Sequence, residues 1–387
     1  MKVTEEKASL CALGKVFGFK PRIALALIEH LGSARAVFDL KENDINGLLS
    51  AYPEYSGQIN RSLQDESLKE LLSLEERGIR YVGWGEETYP QLLKECEDPP
   101  IGLYIRSDTQ PSELWSRNRS IAIVGTRDIS DYGREWCSRI CHAIADAAPD
   151  TLIISGLAYG TDIIAHRTAL ERGLPTIGVM ATGPENIYPY RHRAVAEQMA
   201  HSPGCALVTD YPPGTAPLAL HFLRRNRIIA GLADSTILIE SKIKGGGMST
   251  ARLAFSYSRD VFALPGRIDD TRSQGCNLLI NNKTAEPIIS LMQMLKSMGI
   301  KTEHIRHSER LTERVGMIYG KIEKDRIEML SDIIGTIKGN RGISIEELAE
   351  KCGFTFARTA DLCNMLESDG IIIIDILQRC CINTNFF

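Results

Sequence analysis

Between residues 121 and 264, short runs of apolar and β-branched residues alternate with segments whose apolar residues recur at helical spacing. The predicted strands are 121–124, 151–154, 176–180, 206–209, 236–239 and 261–264, and the predicted helices are 133–147, 162–172, 191–201, 221–232 and 249–258. Strands that are apolar throughout and separated by helices are typical of a parallel sheet covered on both faces. The pattern therefore predicts an α/β fold of the Rossmann-like, doubly wound class.

The N-terminal pattern differs and predicts short helices over residues 8–75, with Gly32 as one helix stop. Helix pairs of this kind can bind DNA through a glycine-rich hairpin. The corresponding turn here, at residues 18–21, contains only one glycine. We therefore favour a structural or docking role for this turn over DNA contact. The region is predicted to be a small helical domain over residues 1–80, of the SAM-like or helix-hairpin-helix kind.

The C-terminal pattern predicts a winged helix-turn-helix. Ser344 and Glu347 have the spacing of a capping box, and Gly353 follows as a helix end. A second helix over 355–368 then leads into the apolar run 371–374. The chain is thus expected to hold a Rossmann-like domain over residues 81–300 and a winged-helix-like domain over residues 321–387.

Composition places the chain among globular proteins, since 43% of its 387 residues are hydrophobic and 24% are charged. No unbroken apolar stretch of about 18 residues occurs, so a membrane-spanning helix is not expected. The first residues have no signal-peptide pattern, and the ten cysteines include no CxxC pair. Free thiols in a reducing cytoplasm are the expectation, with no metal site.

The net charge of −4 is unevenly distributed. Residues 117–285 carry 19 basic and 15 acidic side chains, whereas residues 1–116 carry 13 and 19, and residues 321–387 carry 8 and 11. A polyanionic partner for the central region is consistent with this division. An uneven solvated surface is the alternative explanation.

Three glycine-bearing loops follow apolar strands in the central region, at residues 125–127, 155–162 and 244–251. Ligands of open parallel sheets bind at the carboxyl ends of the strands, where glycine allows close approach and helix N-termini attract anions. Arg127 adds a permanent positive charge. None of the loops is GxGxxG or GxxxxGK[ST], so neither a dinucleotide cofactor nor a nucleotide P-loop is expected.

A basic run lies on the predicted helix 221–232, where Arg224 and Arg227 are three residues apart and can share a face. One interpretation is that these arginines bind phosphate. The other is that some of them form buried pairs that hold the loops together, with Asp162, Asp210 or Glu240 as partners.

In combination, these stretches resemble the DprA/Smf family of DNA processing proteins associated with natural transformation. The matching segments are 121–127, 155–162 with 165–170, 188–189, 222–232, 246–251, 259–266 and 275–280, together with the upstream 89–104. The resemblance departs from the family pattern at Tyr159, which replaces a basic residue, and at Leu223, which replaces a proline.

The resemblance implies an extended Rossmann-like body that binds single-stranded DNA without a chemical reaction or a cofactor. It also implies a homodimer that protects incoming single strands and loads the RecA recombinase. The DNA-binding residues that it implies are Gly125, Thr126, Arg127, Ser155, Gly156, Leu157, Ala158, Tyr159, Gly160, Arg224, Arg225, Asn226, Arg227, Lys244, Gly246, Gly247, Ser249 and Thr250. Tyr159 offers a ring on which a base can stack.

Parts of the sequence also resemble two other functional classes. Phosphoribohydrolases resembling lysine decarboxylases use a similar glycine loop, followed by a glutamate where this chain has Leu253. Glu240 could replace that carboxylate only from a strand end, and His166 is expected to be packed and hydrogen-bonded. A duplex-reading transcription factor is disfavoured, because Arg358 is the one basic residue of the predicted recognition helix 355–368.

Overall fold

The computed structural model describes residues 3–301, 315–316, 318–319 and 324–383. The chain forms two compact units, Met1–Thr302 and Glu303–Phe387. Residues 321–323 and 384–387, which the sequence places at the ends of the winged-helix domain, lie outside the described residues. The division of the first unit at residue 80 stays a prediction.

The N-terminal region is helical, as the sequence predicts. Its helices are α1 (Glu5–Phe17), α2 (Pro21–Leu31), α3 (Ala34–Asp39), α4 (Glu42–Leu48), α5 (Pro53–Ser56) and α6 (Arg61–Glu76). Gly32 ends α2 at φ +84°, a backbone conformation that favours glycine. Apolar residues of these helices share one core with Tyr81 and Tyr104, so the helices pack directly against the sheet that follows.

The sheet of the first unit contains nine strands within the described residues. They are β1 (Ile79–Gly83), β2 (Gly102–Arg106), β3 (Ser120–Val124), β4 (Leu152–Ser155), β5 (Thr176–Val179), β6 (Ala206–Thr209), β7 (Ser235–Leu238), β8 (Asp260–Ala263) and β9 (Glu286–Pro287). The accompanying helices are α7 (Gln91–Lys94), α8 (Pro111–Leu114), α9 (Asp131–Ala147), α10 (Thr161–Glu171), α11 (Arg193–Ala200), α12 (Ala219–Gly231), α13 (Gly246–Ser256), α14 (Gln274–Asn281) and α15 (Leu291–Ser297).

The strand order is β1-β2-β6-β5-β4-β3-β7-β8-β9. Strands β3 to β9 pair in parallel, whereas β1 and β2 pair antiparallel at one edge. The chain runs outward from β3 to β6 and then returns to the other side of β3 as β7. The sheet therefore has its topological switch point between β3 and β7, which confirms the predicted doubly wound fold.

Each face of this sheet is covered. Ala122 and Val124 of β3 share a core with Ile228 and Ile229 of α12 and with Met248 of α13. Because side chains of a strand alternate between faces, Ile121 and Ile123 lie on the opposite face. These two residues are also fully buried, so the sheet lies between two helical layers.

The second unit has the order of a winged helix-turn-helix. Its described elements are α16 (Lys324–Gly339), β10 (Ile343–Ser344), α17 (Ile345–Cys352), α18 (Phe356–Ser368), β11 (Ile372–Ile374) and β12 (Arg379–Ile382). The predicted capping box of Ser344 and Glu347 is present, and Gly353 ends α17 at φ +71°. The winged-helix fold is thus confirmed. Of the helices that the structure describes in both units, none has the length and apolar character needed to cross a membrane.

Candidate nucleic-acid interface

The three glycine loops meet at the carboxyl ends of β3, β4 and β7. The amide of Thr161 donates to the carbonyl of Thr126 at 3.2 Å and so joins the first two loops. Gly160 has φ +78°, and a Cβ there would lie 2.3 Å from the Thr126 oxygen. A Cβ on Gly247 would lie 3.1 Å from the Cα of Gly125, so the first and third loops are also in close contact. Glycine is required at these positions because backbone approaches backbone.

The helix N-termini at this edge differ in their freedom to bind an anion. Ser130 caps α9, and the buried carboxylate of Glu240 accepts from the Ser130 amide at 2.9 Å and also from its hydroxyl. A protein carboxylate therefore already occupies that end. By contrast, α13 begins after Gly245 with no side-chain cap and no acidic residue in its first turn. The N–H groups of α13 are thus available to a phosphate.

Exposed cations surround these loops. Arg127 follows β3, Arg191 follows β5, and Lys242 and Lys244 follow β7. Among the described residues, none of these four has a carboxylate within ion-pair distance. Their charges therefore face solvent and can be neutralised by phosphates. We call this region, residues 125–127, 155–160, 188–191, 222 and 242–249, the strand-end surface.

Aromatic rings lie among these cations. The guanidinium of Arg127 lies 5.1 Å from the ring centroid of Phe222, and the ring of Tyr188 lies 5.6 Å from the same ring. Tyr159 lies 4.8 Å from the ring of His192 and is 43% exposed. Tyr188 is exposed and Phe222 is half-buried. Rings that reach solvent beside unpaired cations are the combination that binds unpaired bases together with their phosphates.

The basic run on α12 is directed inward. Arg224 and Arg227 both donate to the same oxygen of Asp210, at 3.0 and 2.6 Å. The Asp210 side chain is 3% exposed, and that of Arg227 is 6% exposed. The sequence left open whether these arginines bind phosphate or form buried pairs. The structure supports buried pairs, because both charges are compensated by Asp210 inside the protein.

Arg225 and Asn226 support the loops from beneath. A Cβ on Gly156 would lie 2.2 Å from a guanidinium nitrogen of Arg225 and 2.4 Å from a carboxylate oxygen of Asp162. Burial lowers the pKa of Arg225 and raises the pKa of Asp162. The side-chain amide of Asn226 reaches the carbonyl of Gly246 at 3.4 Å. The resemblance implied that residues 224–227 bind DNA directly; because the side chains of Arg225, Asn226 and Arg227 are buried, that expectation is corrected to a role in holding the loops.

The other predicted residues divide by exposure. The side chains of Ser155, Leu157 and Thr250 are buried, so these residues can offer only backbone groups to a ligand. Gly156 and Gly247 are buried as well. The open side of the loops is lined by the exposed Arg127, Tyr159, Lys244 and Gly246 and by the half-buried Gly125, Thr126, Ala158, Gly160 and Ser249.

Sequence reasoning missed several residues of this surface, namely Tyr188, Tyr190, Arg191, Phe222 and Lys242. Residues 188–193, in the connection between β5 and α11, combine two tyrosines with two arginines, and Tyr190 is 74% exposed. This combination was the available signal, since stacking rings and phosphate-binding cations occur together in single-strand binding sites.

The groups proposed for catalysis have structural roles. Glu240 is 1% exposed and engaged by Ser130. His166 is fully buried, with Nε2 donating to the Gly156 carbonyl and Nδ1 lying 2.8 Å from the Thr176 hydroxyl. Burial lowers the pKa of His166 to about 4. The expectation that His166 is packed and hydrogen-bonded is confirmed.

His166 should therefore make stability depend on pH. Its folded pKa of about 4 lies below the unfolded value of 6.5, so protonation favours the unfolded chain. This contribution to stability is fully present above pH 6.5 and is lost toward pH 4, by about 1.4 kcal/mol per pH unit. Urea unfolding between pH 7 and pH 4.5 gives the free energy of unfolding of wild type and of His166→Gln, and we expect it to fall more steeply with falling pH in wild type. The same pH dependence in both proteins would contradict the assignment of a lowered pKa to His166.

The fold and its loops define an extended Rossmann-like protein that carries a winged helix-turn-helix. The family described as DNA recombination-mediator protein A matches residues 80–299, and a family described as winged helix-turn-helix DNA-binding matches residues 329–373. Protein Smf of Synechocystis is 33% identical over 302 residues, which cover 76% of this chain and 73% of that protein. The chain belongs to the DNA recombination-mediator protein A family, whose members include DprA and Smf.

Two solved structures agree with this assignment. DNA processing protein A of Streptococcus pneumoniae matches with a TM-score of 0.61 and 29% identity, over 76% of this chain and 98% of that one. A Helicobacter pylori DNA processing protein A, whose structure concerns its mode of binding single-stranded DNA, matches with a TM-score of 0.50 and 29% identity, over 56% and 95%. The resemblance inferred from the sequence is confirmed.

Proposed function

We propose that this protein binds single-stranded DNA at the strand-end surface and performs no reaction on it. The observation that carries the proposal is the contact of the Phe222 ring with both the unpaired guanidinium of Arg127 and the ring of Tyr188, at the carboxyl ends of the parallel strands. The single-strand binding reported for the Helicobacter pylori relative supports it.

Phosphates would be bound by two kinds of group. Arg127 and Lys244 supply charge, and the uncapped N-terminus of α13 supplies backbone N–H donors directly after Lys244. Such contacts release counterions, so affinity should fall as salt rises. They do not read bases, so sequence preference should be slight.

Unpaired bases would stack on the aromatic rings. Phe222 has Arg127 on one side and Tyr188 nearby, which restrains the ring in one orientation. In a duplex the base faces are already stacked within the helix and cannot reach these rings. The rings therefore favour the single strand over the duplex, while the cations attract both.

The finer role follows from the family. We infer that the protein protects incoming single strands and loads the RecA recombinase on them during natural transformation, as a homodimer. The description of the matching family as a recombination mediator supports a recombinase partner.

A phosphoribohydrolase-like activity on the same fold is the alternative. The carboxylate that this activity requires is not at its position in this chain, because α13 has Leu253 there. Glu240 does not replace it, since its carboxylate accepts from Ser130. Incubation with nucleoside monophosphates tests this point, since release of free base would establish the enzyme.

The binding proposal is tested by replacing Phe222 with alanine. Loss of one stacked base is expected to weaken binding of a labelled oligothymidylate about tenfold, while affinity for duplex changes little. Fluorescence anisotropy at constant salt measures both. Phe255→Ala is the matched control, because Phe255 is 52% exposed near the far end of α13. Equal single-strand affinity for Phe222→Ala and wild type would refute the role of the ring.

A further inference from the structure

The turn between α1 and α2 lies beside the first turns of α12. The guanidinium of Arg224 lies 4.4 Å from the ring centroid of Phe19, and the ring of His221 lies 6.2 Å from it. Phe19 nevertheless remains 56% exposed. One part of its ring is thus held by α12 while the rest faces solvent.

The contact fixes the position of this ring. Arg224 is itself held by Asp210 at 3.0 Å, and its guanidinium also lies 5.3 Å from the ring of Tyr211. Because its charge is compensated by Asp210, Arg224 does not serve as a phosphate ligand. It serves instead as a rigid support for Phe19, through a cation–π contact.

Phe19 is not an isolated apolar side chain. Leu220 and Leu223 lie three residues apart on α12, next to the residues that contact Phe19, and are 59% and 53% exposed. Single exposed apolar residues are ordinary, whereas adjoining ones can form an apolar patch. We call Phe19, Leu220 and Leu223 the Phe19 patch.

Helix α12 carries residues of both the Phe19 patch and the strand-end surface. Phe222 directly follows His221, so one side of this helix presents Phe222 and the adjoining side supports Phe19. A strand crossing this helix covers about 10 Å, which about three nucleotides span at the 3.4 Å spacing of stacked bases. Lys20, which follows Phe19, lies 3.9 Å from a carboxylate oxygen of Glu54 and over the ring of Tyr52, so its charge is engaged within the N-terminal helices and the proposed contact at Phe19 rests on the ring.

We propose that Phe19 extends the strand-end surface onto the N-terminal helices and stacks on an unpaired base about three nucleotides beyond the base at Phe222. This inference rests on the proposed function, because it names a second base contact for the same single strand. It assigns the turn at residues 18–21 a nucleic-acid contact made by an aromatic ring rather than by a glycine hairpin.

The test compares a short and a long oligothymidylate, of about three and about twenty nucleotides, because a strand of about three nucleotides bound at Phe222 ends before it reaches Phe19. Phe19→Ala is expected to weaken binding of the long strand about tenfold and to leave the short strand, which is held at Phe222, unchanged. Phe19→Trp keeps a ring and should retain long-strand affinity, whereas Phe19→Leu keeps only apolar bulk and should lose it. Phe255→Ala is the control for loss of an exposed phenylalanine.

The outcomes separate the two proposals. If Phe19→Ala or Phe19→Leu binds the long strand as tightly as wild type while Phe222→Ala is weakened, the Phe19 contact is refuted and the proposed function stands. If the wild-type protein binds neither strand, the proposed function itself fails. A loss in Phe19→Leu that comes with a lowered unfolding temperature would show a packing role and would also overturn the inference.

Discussion

Replacing Arg227 with alanine is expected to destabilise the first unit by about 3 kcal/mol, because the change leaves a buried carboxylate without its nearest partner. Asp210 is 3% exposed, and the Arg227 nitrogen lies 2.6 Å from its oxygen. The backbone carbonyl of Asp98 loses a donor as well. The loss should lie at the low end of the range for buried pairs, since Arg224 still reaches Asp210. Guanidinium unfolding measures the effect.

Arg267→Ala is the control for this change. Its partner Asp269 is as near, at 2.8 Å, but both side chains are mostly exposed, so the loss should stay below about 1 kcal/mol. If Arg227→Ala and wild type have the same free energy of unfolding but the variant binds DNA more weakly, Arg227 contacts phosphate directly and the buried role is wrong.

Removing Arg127 and Lys244 together is expected to weaken single-strand binding about fifty-fold at low salt while the fold stays intact. Both side chains are exposed, and neither has a carboxylate partner among the described residues. Each should neutralise one phosphate, so the double alanine variant loses two counterion-release contributions. Equilibrium titration with a labelled oligothymidylate measures the affinity.

Lys69 and Arg77 provide the matched control pair. Both are exposed on or next to α6, so their double alanine variant removes the same net charge from another part of the unit. We expect this control to bind nearly as tightly as wild type. A similar loss in both double variants would show a general charge effect in place of a defined site.

The sheet could be predicted because its strands are apolar on both faces. Runs such as residues 121–124 and 236–239 are short and rich in β-branched residues, which is typical of strands in the middle of a covered sheet. The glycine loops could also be placed, since each directly follows such a run. The capping box at Ser344 was predictable because its two partners lie three residues apart.

The direction of the α12 arginines could not be predicted in the same way. It depends on Asp210, which lies fourteen and seventeen residues earlier and reaches Arg224 and Arg227 only in the folded chain. The sequence named Asp210 among three candidate partners but could not choose between burial and exposure. Similarly, the contact between Phe19 and Arg224 joins residues from two regions that the sequence pattern treats as separate.

The winged helix shows a different limit. Its sequence predicts the fold correctly, yet the exposed charges of α18 include Arg358 against Asp361 and Glu367. Duplex binding depends mainly on neutralising the charge of the phosphates, and the carboxylates of this helix would instead repel them. We therefore propose that the first unit binds DNA, and we expect the second to contact protein or to serve a structural role.

A salt series with single-stranded and duplex oligonucleotides tests the central claim most directly. We expect the wild-type protein to bind the single strand more tightly than the duplex at every salt concentration. The log–log slope for Arg127→Ala with Lys244→Ala should be shallower than the wild-type slope by about 1.4, or about 0.7 for each phosphate contact. An unchanged slope, or tighter binding of the duplex, would contradict a single-strand site at these strand ends.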